Sequence, residues 1–191
     1  MKSNHAKIDT TMLWPLTASE NRRYTRTMDF MQNSEQPVTS VLDLGAPNRL
    51  GEIMKESGID VVNTSGDLDL KPEAAAQMNV DAVTAFEILE HLVAPFNVLR
   101  AIRAPRLFAT VPLRLWFASS YRNPDDPWDR HFHEFEDWQF EWLLEKSGWH
   151  SIRLEKWNSP IRQVGIRPLL RVLTPRYLAV EAIRREAPWV R

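Results

Sequence analysis

The stretch VTSVLDLGAPNRLGEIMKESGIDVVNT, residues 38–64, decides the fold. It opens on a β-branched and apolar run, VTSVLDLG (38–45), which stops at Gly45 and reads as a buried strand by length and composition. Asn48 then offers a side chain able to cap a helix in which Leu50, Ile53 and Met54 recur at i, i+3 and i+4. Gly58 is placed to end that helix. A second strand, IDVVNT (59–64), follows at once. Strand, tight turn, helix and strand make a βαβ crossover.

Working outward, the alternation continues. DAVTAF (81–86) predicts a third strand, and Pro95 stands at the start of a helix with Phe96, Leu99 and Ile102 on one face. RLFATVP (106–112) is the next strand. Residues 113–133 are irregular, with Asn-Pro and Asp-Pro turn signals, and read as an insertion or lid. A helix is expected from Glu134 to Ser147, with acidic residues in its first turn, Lys146 in its last and Gly148 beyond. Its Phe140, Leu143 and Leu144 belong to the core. HSIRLEKW (150–157) alternates like a strand, and YLAVEAIRR (177–185) suits a final one. Strands alternating with helices predict an α/β fold with a mostly parallel sheet covered on both faces. Residues 1–36 read as an N-terminal helical extension anchored by Met12, Leu13, Trp14, Met28 and Phe30, and residues 37–191 as one domain.

Composition narrows the function classes. The 191 residues fit one domain with terminal additions. Cysteine is absent, which excludes disulfides, thiolate nucleophiles and zinc knuckles. A net charge of −1 gives no reason to expect nucleic acid, although seven arginines after Ile161 face only two glutamates. No apolar run reaches the roughly 18 residues of a membrane span or the length of a signal peptide, so a cytoplasmic chain without a membrane partner is expected.

In open parallel sheets, ligands bind beyond the carboxyl ends of the strands, where strand order reverses. Those ends are Asp43–Gly45, Thr64–Asp69, Phe86–Glu90 and Pro112. Here VLDLG (41–45), GDLDL (66–70), DAVTAFEILEHL (81–92) and HEFEDWQFEWLLEKSGW (133–149) together resemble the class I S-adenosylmethionine-dependent methyltransferases, in particular the methyltransferase type 11 group. FEILEHL is the most specific of these pieces, and order and spacing agree from about residue 38 to 158. The resemblance implies a Rossmann-like sheet of seven strands with an antiparallel last strand. It implies S-adenosyl-L-methionine as cofactor. Its site would comprise Asp43, Gly45, Ala46, Pro47 and Asn48 after the first strand, Asp67, Leu68 and Asp69 after the second, and Phe86 and Glu87 after the third.

Two departures stand beside that resemblance. The family loop runs Asp-x-Gly-x-Gly-x-Gly, whereas this chain has Asp43-Leu44-Gly45-Ala46-Pro47-Asn48-Arg49. Proline lacks an N–H and fixes φ, so it cannot replace a conformationally free glycine. Only 17 residues (64–80) separate the end of the second strand from the start of the third, too few for the usual extra helix and strand.

Methyl transfer is an in-line displacement for which the protein supplies alignment and, for some acceptors, a base. The polar cluster Asp129-Arg130-His131-Phe132-His133-Glu134 offers His131 and His133 as catalytic bases, or else as residues that tie down the loop. His131 and His133 with Glu134 could also look like metal ligands, but no further cluster completes a coordination shell, so no metal is expected. Trp116, Phe117 and Trp128 in the insertion would suit a lid over a planar, small-molecule acceptor, or plain packing. A methyltransferase-like binding or scaffolding domain without catalysis is the alternative. A nicotinamide-dependent oxidoreductase lacks its G-x-G-x-x-G.

Overall fold

The computed structural model describes residues 16–76, 79–158, 170 and 173–185. Six strands form one sheet: β1 (Ser40–Asp43), β2 (Asp60–Asn63), β3 (Ala82–Phe86), β4 (Arg106–Pro112), β5 (Trp149–Trp157) and β6 (Tyr177–Arg184). Their order is β2-β1-β3-β4-β6-β5. The first four pair in parallel, and β6 runs antiparallel to both of its neighbours, β4 and β5. The chain leaves β1 toward β2 on one side and later returns to β3 on the other. The switch point therefore lies between the carboxyl ends of β1 and β3.

Side chains alternate across the sheet, so neighbouring residues of one strand feed different cores. Val41 joins Val61, Ala82 and Phe108 beneath α1 (Ala18–Gln32) and α2 (Arg49–Glu56), with Met28, Phe30, Met31 and Met54 as the helical partners. Leu42 joins Val83, Leu107 and Val180 on the opposite face. There Val98 and Leu99 of α3 (Pro95–Ala101) and Phe140 and Leu144 of α4 (Asp137–Lys146) cover it. Helices thus cover both faces, as the sequence predicts.

The helix ends follow local chemistry. Thr17 caps α1 in a reciprocal box with Glu20. The Asn48 side chain accepts from the Gly51 N–H at 3.0 Å, and Gly58 takes a φ of +90° just beyond α2, so both expected signals operate. Pro95 opens α3 as expected, but its buried face is Pro95, Val98, Leu99 and Ile102; Phe96 is one step off that face and 37% exposed. Helix α4 starts three residues later than the sequence suggests. Residues before it are extended, because Phe135 bridges to Leu113 and its carbonyl accepts from the Arg114 N–H at 2.9 Å.

The shortened crossover determines the sheet's edge. Between β2 and β3 the described residues contain only a single 3-10 turn, Pro72–Ala75, packed against α3. No further strand is inserted there, so β2 is an edge strand and the sheet has six strands among the described residues rather than seven. YLAVEAIRR does supply the antiparallel strand that the resemblance implies. Met12, Leu13 and Trp14, and most of the arginine-rich segment after Ile161, lie outside the described residues. No described helix is long and apolar enough to cross a membrane.

A buried ionic cluster joins α1 to the antiparallel end of the sheet. Glu181 on β6, 3% exposed, accepts from Ser34 at 2.6 Å and pairs with Arg106 of β4 at 2.7 Å and Arg153 of β5 at 2.9 Å. Arg106 also reaches the Gln36 carbonyl and Arg153 that of Phe30. Burial alone would raise the Glu181 pKa, but the Ser34 hydroxyl and the guanidiniums hold it below its ordinary value.

Candidate functional site

At the carboxyl end of β1, Asp43 is 2% exposed. Its carboxylate accepts from the Thr84 hydroxyl at 2.6 Å, from the Asn63 amide at 3.1 Å and from the Asn48 amide at 3.2 Å. Burial outweighs these three hydrogen bonds and raises its pKa to about 6. One side chain thereby ties together the ends of β1, β2 and β3 and the start of α2.

The turn after β1 depends on Gly45. Its φ is +99°, and a Cβ there would meet Ile88 Cδ1 at 2.8 Å. Its N–H donates to the Thr64 hydroxyl at 2.7 Å, and its carbonyl accepts from Asn63 at 3.3 Å. A single glycine therefore makes this turn. Pro47 precedes the cap residue Asn48 and is exposed. Arg49 turns along α2 toward Glu56 at 3.4 Å, away from the loop.

Above this turn lies a cavity of about 770 Å³. Gly45 and Ala46 line it from β1, Gly66 to Leu70 from the segment after β2, and Ile88, His91, Leu92 and Val93 from the loop after β3. Pro127, Trp128 and Phe132 of the insertion form its outer wall. Its size lies in the range of small-molecule and cofactor sites, and its place beside the switch point is where such a fold binds ligands.

The two aspartates after β2 separate into different tasks. Asp69 accepts from the backbone N–H of Val93 at 2.9 Å and of Ala94 at 2.8 Å, so both of its oxygens fasten the crossover to the start of α3. Asp67 accepts from the Asp69 N–H at 2.9 Å through Oδ1, and its Oδ2 has no hydrogen-bond partner among the described residues. Leu68 is buried between them.

The structure brings together Gly45, Ala46, Asp67, Leu68 and Asp69 around one cavity, and places Phe86 and Glu87 elsewhere. These two line a separate cavity of about 220 Å³ with Asp43, Asn48, Thr110 and three residues of α1, Arg23, Tyr24 and Thr27. Glu87 has a φ of +53°, and its carboxylate lies 3.4 Å from the Arg23 guanidinium. Burial raises the Glu87 pKa, opposed by Arg23. Glu90 is 1% exposed, and its Oε2 has no hydrogen-bond partner among the described residues. Burial and the neighbouring Glu87 push its pKa well above the ordinary value.

The two histidines of the insertion face different surroundings. His131 packs its ring edge-on against His91, at 4.6 Å between centroids, and close to Tyr121 at 4.5 Å. Desolvation and the His91 ring lower its pKa, which keeps the imidazole neutral near pH 7. His133 sits beside the Val93 carbonyl at 3.3 Å, stacks on Phe135 and lines a third cavity with Phe96, Gln139 and Leu143. The rest of the polar cluster anchors the loop. Glu134 accepts from the Tyr121 N–H at 2.6 Å, and Asp129 accepts from Asn123 at 2.9 Å and from the Tyr121 hydroxyl. Trp116 and Trp128 are 70% and 78% exposed; only Trp128 lines the large cavity.

Thr64 and Ile88 lie within the strand ends expected from sequence but are not singled out by it, and Asn63, Thr84 and Arg23 escape sequence reasoning. Asn63 and Thr84 are polar residues that follow apolar pairs in their strands, a signal visible in the sequence. Arg23 becomes relevant only once α1 packs against the sheet.

No protein-family model matches the sequence, and no curated protein matches it. Solved structures do. A SAM-dependent methyltransferase from Archaeoglobus fulgidus is 16% identical and superposes with a TM-score of 0.55, over 85% of this chain and 92% of that one. The [4+2]-cyclase SpnF is 14% identical with a TM-score of 0.56, over 91% of this chain and 86% of that one. An S-adenosylmethionine-dependent methyltransferase from Mesorhizobium loti is 14% identical with a TM-score of 0.50, over 84% and 96%. At such identities the likeness establishes architecture, and the chain has the Rossmann-like α/β fold of the class I methyltransferases.

Proposed function

We propose that the chain is an S-adenosyl-L-methionine-dependent methyltransferase acting on a small-molecule acceptor. The observation that carries the reading is the cavity itself. It lies at the switch point of a methyltransferase-type sheet, with a positive-φ glycine on one wall, the unpaired Asp67 oxygen on another and apolar Ile88 and Leu92 between. Fold alone would not suffice, since one similar structure is a cyclase.

When bound, the cofactor supplies the methyl group on a sulfonium, and every other task falls to the chain. Gly45 and Ala46 admit close approach of the cofactor to the backbone. Asp67 accepts from hydroxyls of the ribose. Ile88 and Leu92 pack on its apolar parts and exclude water. Asp43, Asn48 and Asp69 act as positioning residues, because their polar atoms are spent on holding the loops. Exposed Trp128 and Phe132 at the outer wall favour a planar or apolar acceptor over a charged one. His131 is neutral and next to His91 on the cavity wall, so it is the better placed of the two histidines to take a proton from the acceptor.

A binding domain without turnover is the second reading. The specific observation in its favour is a loop with one glycine, whose N–H is already committed to Thr64. Calorimetry with S-adenosylmethionine and S-adenosylhomocysteine tests the proposal. Micromolar binding of either supports it; absence of binding at millimolar ligand removes it in favour of a scaffolding domain. Binding without transfer to any member of a panel of hydroxylated, aminated and aromatic small molecules leaves the binding domain.

A further inference from the structure

Beside the large cavity, three side chains from two separate segments converge. Glu90 and His91 come from the turn after β3, and His131 comes from the insertion 40 positions later in the chain. One potential ligand atom from each lies within 4.8 Å of the others. The His91 ring is oriented from behind: its Nδ1 lies 3.1 Å from the Arg130 carbonyl, leaving Nε2 on the side of Glu90, 3.9 Å from Oε1. A histidine that donates one ring N–H to a backbone carbonyl presents its other nitrogen as a lone pair, the usual arrangement behind a metal-bound imidazole.

Glu90 gives the independent observation. Its side chain is 1% exposed, yet Oε2 has no hydrogen-bond partner among the described residues. A buried carboxyl oxygen without a partner is costly, and structures keep such groups where something else completes them. The backbone carbonyl of the same residue accepts from the N–H groups of Phe132 and His133, at 2.8 and 3.2 Å. That pair of hydrogen bonds docks the histidine-bearing segment on the Glu90 backbone, and the His131 ring lies within 4.8 Å of a Glu90 carboxyl oxygen.

We propose that Glu90, His91 and His131 bind a first-row divalent transition-metal ion at the edge of the large cavity. Two imidazoles and one carboxylate form a mixed nitrogen and oxygen set, which suits Mn²⁺, Fe²⁺, Co²⁺ or Zn²⁺ better than the all-oxygen shells of Mg²⁺ and Ca²⁺. Ligands about 2.1 Å from a shared ion stand about 3–3.4 Å apart, so closing the cluster takes side-chain rotations of about 1 Å. His131, on the irregular segment, is free of the sheet and can make that adjustment. Three protein ligands leave coordination positions open, as in catalytic sites. His91 is at once a ligand and a cavity-wall residue.

One step rests on the methyl-transfer reading. An acceptor hydroxyl on an open position of the ion would lose its proton to water more easily. Its oxygen would form the new C–O bond as the C–S bond to the methyl group breaks. His131 then acts through the ion instead of taking the proton itself.

The binding test needs no cofactor, so its failure is separate from failure of the methyltransferase reading. The chelator-stripped chain is titrated with Co²⁺, read by calorimetry and by visible absorption of the bound ion. The expected result is one equivalent bound at micromolar affinity, with little competition from equimolar Mg²⁺. His131→Ala and Glu90→Gln should each weaken binding at least tenfold, with the folded state checked by circular dichroism. His131 is only part-buried, so its variant remains informative if Glu90→Gln fails to fold. His133→Ala should bind as the parent does. No binding at millimolar Co²⁺, or binding that His131→Ala leaves unchanged, would overturn the proposal.

Discussion

The Asp43 carboxylate accepts a hydrogen bond from the Thr84 hydroxyl at 2.6 Å, across the strand pair at which the chain order of the sheet reverses. The bond is buried, and it ties the carboxyl end of β1 to β3. Because burial holds the Asp43 pKa at about 6 against an ordinary 3.8, the folded chain binds this proton more tightly than the unfolded one.

A pH dependence of stability follows from that sign. The contribution is fully present below about pH 4 and is lost as pH rises through about 6, with a magnitude of about 3 kcal/mol. Urea denaturation between pH 4 and 7 should show stability declining over this window. Asp43→Asn should flatten the decline; a variant with the parent's slope would show that Asp43 does not set it.

The Glu181 cluster should act in the opposite sense at lower pH. Its folded pKa is depressed, so its contribution is present above the ordinary glutamate value near 4.5 and is lost as pH falls through the folded value. Glu181→Gln should cost about 3–5 kcal/mol at pH 7, because it leaves the buried Arg106 without its carboxylate. A loss below about 1 kcal/mol in chemical denaturation would contradict the account of the cluster.

Much of the fold was legible in the sequence because period and punctuation agreed. Asn48, Gly58 and Pro95 each sit at the helix boundary their chemistry suggests; five strands fall within the runs that mark them, and β5 begins one residue before its alternating stretch, at Trp149. The misplacements have tertiary causes. Glu134 looks like a helix start, but strand-like bridging of Phe135 to Leu113 delays α4 to Asp137. Phe96 is apolar yet turned to a cavity, since the buried stripe runs through Pro95, Val98 and Leu99. Gly45 and Asp67, expected together from their places at the strand ends, do line one cavity. Glu87 was harder: only the packing of α1 shows that Arg23 pairs with it outside the large cavity. The approach of His131 to Glu90 and His91 is likewise invisible to spacing.

Gly45→Ala tests the turn. A non-glycine residue at a φ of +99° is strained by about 1–3 kcal/mol, and the new Cβ would also press on Ile88. The variant should lose about that much stability in urea and bind S-adenosylhomocysteine at least tenfold more weakly. Parent-like affinity would mean that the turn does not contact the ligand.

The two aspartates after β2 should separate cleanly. Asp69→Ala removes the acceptor of two backbone N–H groups and should lower stability by about 2 kcal/mol. Asp67→Ala should leave thermal stability nearly unchanged and weaken cofactor binding about tenfold, or about 1.4 kcal/mol. The reverse pattern in paired melting and calorimetry experiments would exchange their assigned tasks.

The cavity's identity as the cofactor site is tested most directly by a crystal structure of the chain with S-adenosylhomocysteine. The predicted result is the ligand between Gly45 and Leu92, with its ribose hydroxyls on Asp67 and Trp128 at the outer rim. Ligand in the smaller cavity beside Glu87, or a large cavity still empty at saturating ligand, would contradict the account.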